Sequence, residues 1–366
     1  MRIAQVAPLY ESVPPKLYGG TERVVSWLTE ELVRLGHDVT LFASGDSMTT
    51  AKLIPCCRES LRLSPECVDH LAHHLVLLEH VLQLKNEFDL IHFHIDYLHF
   101  PLSRRERYTY VSTLHGRLDI PDLVPLYNIY RDAPVISISN AQREPLPHLN
   151  WQGTVHHGLP VDSYKFCRKP GEYLAFLGRT SPEKGLDRAI AIAKAAGIPL
   201  KIAAKIDKAD QEYFDTVIKP ELDSPDIEFV GEIGYAEKND FLGQAMALLF
   251  PIAWPEPFGI VMIEAMACGT PVISYPFGSV PEVVADGISG YIVSGEKAAH
   301  SAIENLHKLD RKKVRRHFEQ NFTADRMALD YLKIYERMVS RKKVPLTASS
   351  GVLNWMKLPS PSSSTT

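Results

Sequence analysis

Apolar residues recur with two periods in the first fifty positions. In RIAQVAP they run together, as in a short strand buried on both faces. In TERVVSWLTEELVRLG they return at Val24, Leu28, Leu32 and Leu35, the spacing of one helix face, and Gly36 predicts the C-terminal cap. PPKLYGG before it reads as a loop, and HDVTLFAS after it as a second strand. Strand, glycine loop, helix and strand make a βαβ unit, which requires a parallel sheet. DLIHFH, YVSTLHG and APVISISN predict three further buried strands.

The pattern then restarts. EYLAFLG reads as a strand, RTSPEKG as a loop, LDRAIAIAKAAG as a helix and PLKIAAKI as a strand; IEFVGEI, MALLFPI and PVISYPF continue the alternation. Two such series predict two doubly wound α/β domains, residues 1–165 and 166–322. A last helix over 323–344 follows, and residues 345–366, with six serines, predict a disordered tail.

Composition narrows the function classes. A chain of 366 residues with 45% apolar and 23% charged residues fits a globular enzyme. The net charge of −4 gives no electrostatic case for nucleic acid. Five cysteines without metal or scaffold spacing read as reduced thiols, and the start MRIAQVAP does not read as a signal peptide, so a cytoplasmic protein is expected. His92 and His94 share one side of a strand but have no evident third metal ligand. The basic run RKKVRR, 311–316, reads first as a solvated helix face and second as a peripheral contact with anionic lipid headgroups.

The densest chemistry lies in PEPFGIVMIEAMACGTPV, Pro255 to Val272. A helix beginning after Pro-Phe-Gly leaves backbone N–H groups near Gly259 and Ile260 free to meet anionic oxygens, and glycine permits close approach. Glu264 stands roughly 7 Å further along the axis, the reach from a diphosphate to ribose hydroxyls. Glu256, on the other side, suits a second polyhydroxyl group. Sugar, diphosphate and ribose in a row describe a nucleotide-sugar. Arg179 and Lys184, in GRTSPEKG after a strand, offer cations for the phosphates. No Asp-x-Asp pair occurs, so the phosphates are expected to be stabilised without a metal or other cofactor. Taken singly, Glu256 is a favourable anion before a helix and Glu264 a helix position; the spacing makes the case.

These residues resemble the family 4 retaining glycosyltransferases. EPFGIVMIE looks like the family's Glu-x7-Glu motif, and the resemblance extends to YGG at 18–20, GHDVTLF at 36–42, HG at 115–116, GRTSPEKG at 178–185, GTPV, and VPEVVADGISGYIV at 280–293. It implies the GT-B fold, two Rossmann-like domains facing across a cleft, with the last helix crossing back to the first domain. It also implies catalytic roles for Glu256, His115, Arg179 and Lys184, and a donor site formed by Gly19, Gly20, Arg179, Lys184, Gly231, Phe258, Gly259, Ile260 and Glu264. The donor nucleotide-sugar is a substrate, with UDP-glucose expected before GDP-mannose. The acceptor, a glycan, a lipid-linked precursor or a small metabolite, is expected on first-domain loops such as PPKLYGG and RLDIPDLVPLY. An epimerase of the same fold and a non-catalytic nucleotide-sugar binder are the rival readings.

Overall fold

A computed structural model describes residues 1–16, 19–62 and 64–342; the tail 345–366 lies outside the described residues. The first domain holds β1 (Arg2–Val6), β2 (Asp38–Ser44), β3 (Lys52–Cys57), β4 (Leu90–Phe93), β5 (Tyr110–Thr113), β6 (Val135–Ser137) and β7 (Trp151–Thr154). They form one parallel sheet in the order β3-β2-β1-β4-β5-β6-β7, with Ile3 facing Val39 of β2 and Leu90 of β4. The second domain holds β8 (Leu174–Arg179), β9 (Leu200–Lys205), β10 (Ile227–Gly231), β11 (Ala247–Phe250), β12 (Val272–Ser274) and β13 (Gly290–Ile292) in the order β10-β9-β8-β11-β12-β13. Both are doubly wound α/β domains. In each, the first strand sits where the direction of winding reverses, and such switch points open crevices at the carboxyl ends of the strands.

The sequence pattern missed β3, β7 and β13. All three lie toward sheet edges, where one flank or less is buried and the apolar signal is diluted. The edge strand β3 carries Pro55, which removes an N–H that a central strand could not spare.

Two passages tie the domains together. Leu159 and Thr323 form a bridge where the outgoing and returning chains run side by side. The helix Ala324–Lys342 then lies against the first domain: Arg34 reaches Asp325, and the buried hydroxyls of Tyr331 and Tyr335 enter the first sheet's polar interior. Glu282 of the second domain accepts hydrogen bonds from Asn140 N and Ala141 N at 2.8 Å each and contacts His156 Nε2 at 2.9 Å, pinning the cleft's far side.

Candidate active site between the two domains

The two switch points face each other across a cavity of about 620 Å³. Its walls come from the loops after β1, β4 and β5 on one side and after β8, β9, β10 and β11 on the other. Gly19, Gly20, His115, Arg179, Lys184, Glu256, Phe258, Gly259, Ile260 and Glu264 all line it. Gly231 does not. It closes β10 with φ 82°, and this turn sends the neighbouring Glu232 and Ile233 into the cavity instead.

On the second-domain wall, a 3₁₀ turn Pro182–Lys184 follows β8 and carries the lysine inward. Lys184 Nζ pairs with the Glu256 carboxylate and lies 4.7 Å from the centre of the Trp254 ring. Both charged side chains are largely buried, at 16% and 10% exposure, so their attraction is weakly screened. Arg179 contacts Glu183 at 3.2 Å and Asp207 at 3.7 Å, which uses only part of its five-donor fork.

The helix Ile260–Cys268 begins at Gly259, whose φ of 74° is open to glycine at little cost. A Cβ there would also stand 3.0 Å from Met262 Cε and 3.1 Å from Phe250 Cζ. Residues Met262 to Cys268 are all buried, so the helix is enclosed all round rather than along one face of Ile260, Ile263 and Ala267. Its N-terminal N–H groups and positive dipole end open on the cavity, where Gly259, Ile260 and Val261 are only half-buried. Phe258 is packed among rings, 4.8 Å from His157, while its carbonyl accepts from Ser279 Oγ at 2.8 Å. Glu264 is 2% exposed; Tyr164 O–H donates to it at 2.8 Å and Lys238 Nζ reaches its two oxygens at 2.9 and 3.2 Å. A carboxylate offers about four lone-pair sites, so these three contacts leave about one for a further donor.

On the first-domain wall, the helix Gly20–Arg34 points its own N-terminus at the same space. A Cβ on Gly20 would lie 3.6 Å from Ile260 Cδ1, so the two helix starts nearly meet. Burial raises Glu22 to about 7 and Asp96 to about 6, and Asp96 holds the left-handed φ of 50° uncommon outside glycine. His115 sits above them with His94 Nδ1 2.8 Å from its Nε2, and the His157 ring stacks on it at 5.4 Å. Burial pulls His115 down to about 3, so the imidazole is neutral.

Lys238, Tyr164, Trp254, Asp96 and His157 were not legible beforehand. Lys238 and Tyr164 lie 26 and 100 residues from the Glu264 they serve, and no local spacing announces such partners. The basic run 311–316 needs correction. Arg311 is buried and donates to the carbonyls of Cys167, Ala245 and Gly243 and to Thr270 Oγ1. Arg315 donates to the carbonyls of Tyr164, Ala267 and Val161. These two are neither solvated nor free for lipid, because they satisfy chain carbonyls that the helix alone cannot; Lys312, Lys313 and Arg316 remain exposed. His92 and His94 spend their ring nitrogens on protein partners, and among the described residues no group of three His, Cys, Asp or Glu side chains could hold a metal ion. No described helix is long and apolar enough to cross a membrane.

Comparison with known proteins places this geometry. The family described as Glycosyltransferase Family 4 matches residues 18–150, and that described as Glycosyl transferases group 1 matches residues 166–324. D-inositol 3-phosphate glycosyltransferase of Mycobacterium leprae is 31% identical over 167 residues, covering 42% of this chain and 35% of that protein. The Mycobacterium tuberculosis counterpart is 33% identical over 168 residues, with 42% and 31% coverage. The matched segment thus spans about a third of those relatives' length. Among solved structures, sucrose-phosphate synthase from Thermosynechococcus elongatus superposes with a TM-score of 0.76 at 19% identity, covering 93% of this chain and all 100% of that one. HepE of Anabaena, solved with UDP, gives 0.69 at 18% identity, covering 92% and 100%. The two family matches together, and the structural likenesses, extend across both domains. The chain belongs to the family 4 glycosyltransferases, with the two-domain GT-B fold.

Proposed function

We propose that this protein is a retaining hexosyltransferase that moves a hexose from a nucleotide-sugar to an acceptor hydroxyl without a metal ion. The observation that carries the reading is the Lys184–Glu256 pair beside the start of helix Ile260–Cys268, with Glu264 on the same wall of a cavity of ligand size. Arg179, Lys184 and the helix-start N–H groups take the diphosphate, and Glu264 takes the ribose. Glu256 and His115 meet the hexose hydroxyls, and Gly19, Gly20 and Gly259 allow backbone approach.

As the bond from the anomeric carbon to the phosphate oxygen breaks, the acceptor oxygen forms its bond on the same face. The departing phosphate oxygen receives the acceptor proton, so no strong protein base or covalent enzyme intermediate is needed. Fixed cations and dipoles at the leaving group supply the stabilisation.

UDP-glucose is the first donor to test and GDP-mannose the second. Support for uridine comes from HepE, which was solved with UDP, with UDP and glucose, and with UDP-glucose. The acceptor is proposed to sit on the first-domain wall; D-inositol 3-phosphate, from the names of the relatives, opens an acceptor panel of glycans, lipid-linked precursors and small metabolites. A cytoplasmic setting, with the exposed Lys312, Lys313 and Arg316 toward a membrane surface, completes the reading. The test is turnover of UDP-glucose with that panel, reading the anomeric proton of the product by NMR. An α-linked product from the α-linked donor is expected, and a β-linked product overturns retention.

A further inference from the structure

A continuous chain of buried polar groups runs from His115 in the cleft to the crossover helix. His115 Nε2 meets His94 Nδ1 at 2.8 Å, and His94 Nε2 meets Gln5 Oε1 at 2.8 Å. Gln5 Nε2 donates to Tyr335 Oη at 3.3 Å, and Tyr335 Oη lies 2.6 Å from His92 Nδ1. His92 Nε2 lies 2.7 Å from Thr113 Oγ1, which Tyr331 Oη approaches at 3.1 Å. Gln5, His92, Thr113, Tyr331 and Tyr335 are 0% exposed and His94 is 2% exposed.

This chain has a direction. Burial keeps all three imidazoles neutral, so each carries one N–H and one lone pair. With the amide oxygen of Gln5 toward His94, His94 must donate from Nε2 and accept at Nδ1. His115 must then donate from Nε2, which leaves its Nδ1 unprotonated. Beyond Gln5 the same logic continues: Tyr335 accepts from the amide and gives its only proton to His92 Nδ1, and His92 donates from Nε2 to Thr113.

Reversing the chain would require turning the Gln5 amide and moving every proton, and would place an N–H on His115 Nδ1. That atom is buried with no hydrogen-bond partner among the described residues. A buried N–H without a partner is the rarer and costlier defect, so the observed direction is favoured.

We propose that Gln5, His94 and Tyr335 are positioning residues that fix the His115 tautomer, with Nε2 protonated toward His94 and Nδ1 bare, and so hold this cleft-lining ring in one orientation. The crossover helix thereby contributes to the cleft chemistry through Tyr335 without touching the ligand. This rests on the hexosyltransferase reading for its effect on turnover, but the tautomer itself can be measured without turnover.

The experiment is long-range ¹H–¹⁵N NMR of the full chain, with His115 assigned by comparison with His115→Asn, on wild type, Gln5→Leu and the nearly isosteric Tyr335→Phe. Wild type is expected to show protonated Nε2 and bare Nδ1. Each variant is expected to mix the tautomers and to lower kcat about twofold, the loss expected when roughly half the rings hold the other tautomer, with donor KM little changed. Protonated Nδ1 in wild type, a pure Nε2–H form in both variants, or unaltered kcat in variants whose tautomers have mixed would each overturn the proposal. Failure of the hexosyltransferase reading has a different signature: wild type turns over no nucleotide-sugar while its tautomer stands as expected.

Discussion

Removing the Lys184 ammonium, as in Lys184→Ala, should do two separable things. Stability falls because Glu256, with its side chain at 10% exposure, becomes an uncompensated charge. Breaking a fully buried pair from one side costs about 3–5 kcal/mol. Residual contact with cleft water reduces this to about 2–4 kcal/mol, including loss of the cation over Trp254 at about 0.5–2 kcal/mol. Affinity for a nucleoside diphosphate falls as well. One charge-assisted hydrogen bond of about 1.5–3 kcal/mol corresponds to about 10- to 150-fold in Kd, and the bare Glu256 carboxylate adds repulsion. The double variant Lys184→Ala/Glu256→Gln separates the effects: deleting both charges should bring the stability loss back to about 1 kcal/mol. Diphosphate affinity should stay at least about tenfold weak, because the cation is still gone. Urea denaturation and calorimetric titration with UDP read the two quantities. Unchanged UDP affinity in Lys184→Ala would refute the phosphate contact, and a double variant as unstable as the single one would refute the paired-charge argument.

Other consequences are open to simpler assays. Gly278→Ala should cut activity more than about tenfold, since at φ 56° a Cβ stands 2.3 Å from both N and O of Glu256 and forces that loop to move; near-normal turnover would show that the loop tolerates displacement. Acid should destabilise the fold. Burial lowers His92, His94, His99, His115 and His157 in the folded state, so each favours the folded form fully only above its unfolded value near 6.5 and loses that stability as pH falls. Glu22 and Asp96, raised to about 7 and about 6, act oppositely, as do the raised Glu11 and Asp210, but His37 and His74 are lowered as well, so the lowered histidines outnumber the raised carboxyls and acid is expected to weaken the fold below pH 6.5. A urea midpoint that is flat or rises from pH 7 to 5 would contradict this. EDTA should leave turnover intact, and strong loss restored by a divalent ion would place a metal in the mechanism.

The sequence made the order of elements readable because both sheets are parallel and buried, so their central strands appear as unbroken apolar runs such as RIAQV and LAFLG. It made the second-domain wall readable because Arg179, Lys184, Glu256 and Glu264 fall in two short segments whose spacing carries chemistry. The remaining site residues depend on chain crossings. Lys238 meets Glu264 through packing of two helices, Tyr164 arrives from the interdomain linker, and Tyr335 comes from the far end of the chain to close a polar network begun at Gln5. A basic run likewise says nothing about which of its members will turn inward. Arg311 and Arg315 do so because helix C-terminal ends and loops leave carbonyls there that need donors.

The central claim is that the two glutamates, the helix start and the paired cations form one nucleotide-sugar site, and ligand-dependent thermal stability tests it most directly. UDP-, GDP-, ADP- and TDP-sugars and the free diphosphates are screened against wild type, with Lys184→Ala/Glu256→Gln as control. A ligand that binds only the folded state at a hundred times its Kd adds about 2.7 kcal/mol. The account predicts that one base, uridine first, raises the melting temperature as both diphosphate and sugar, and that the control loses at least about half of the shift. No shift with any nucleotide from well-folded protein, or an equal shift in the control, would contradict it.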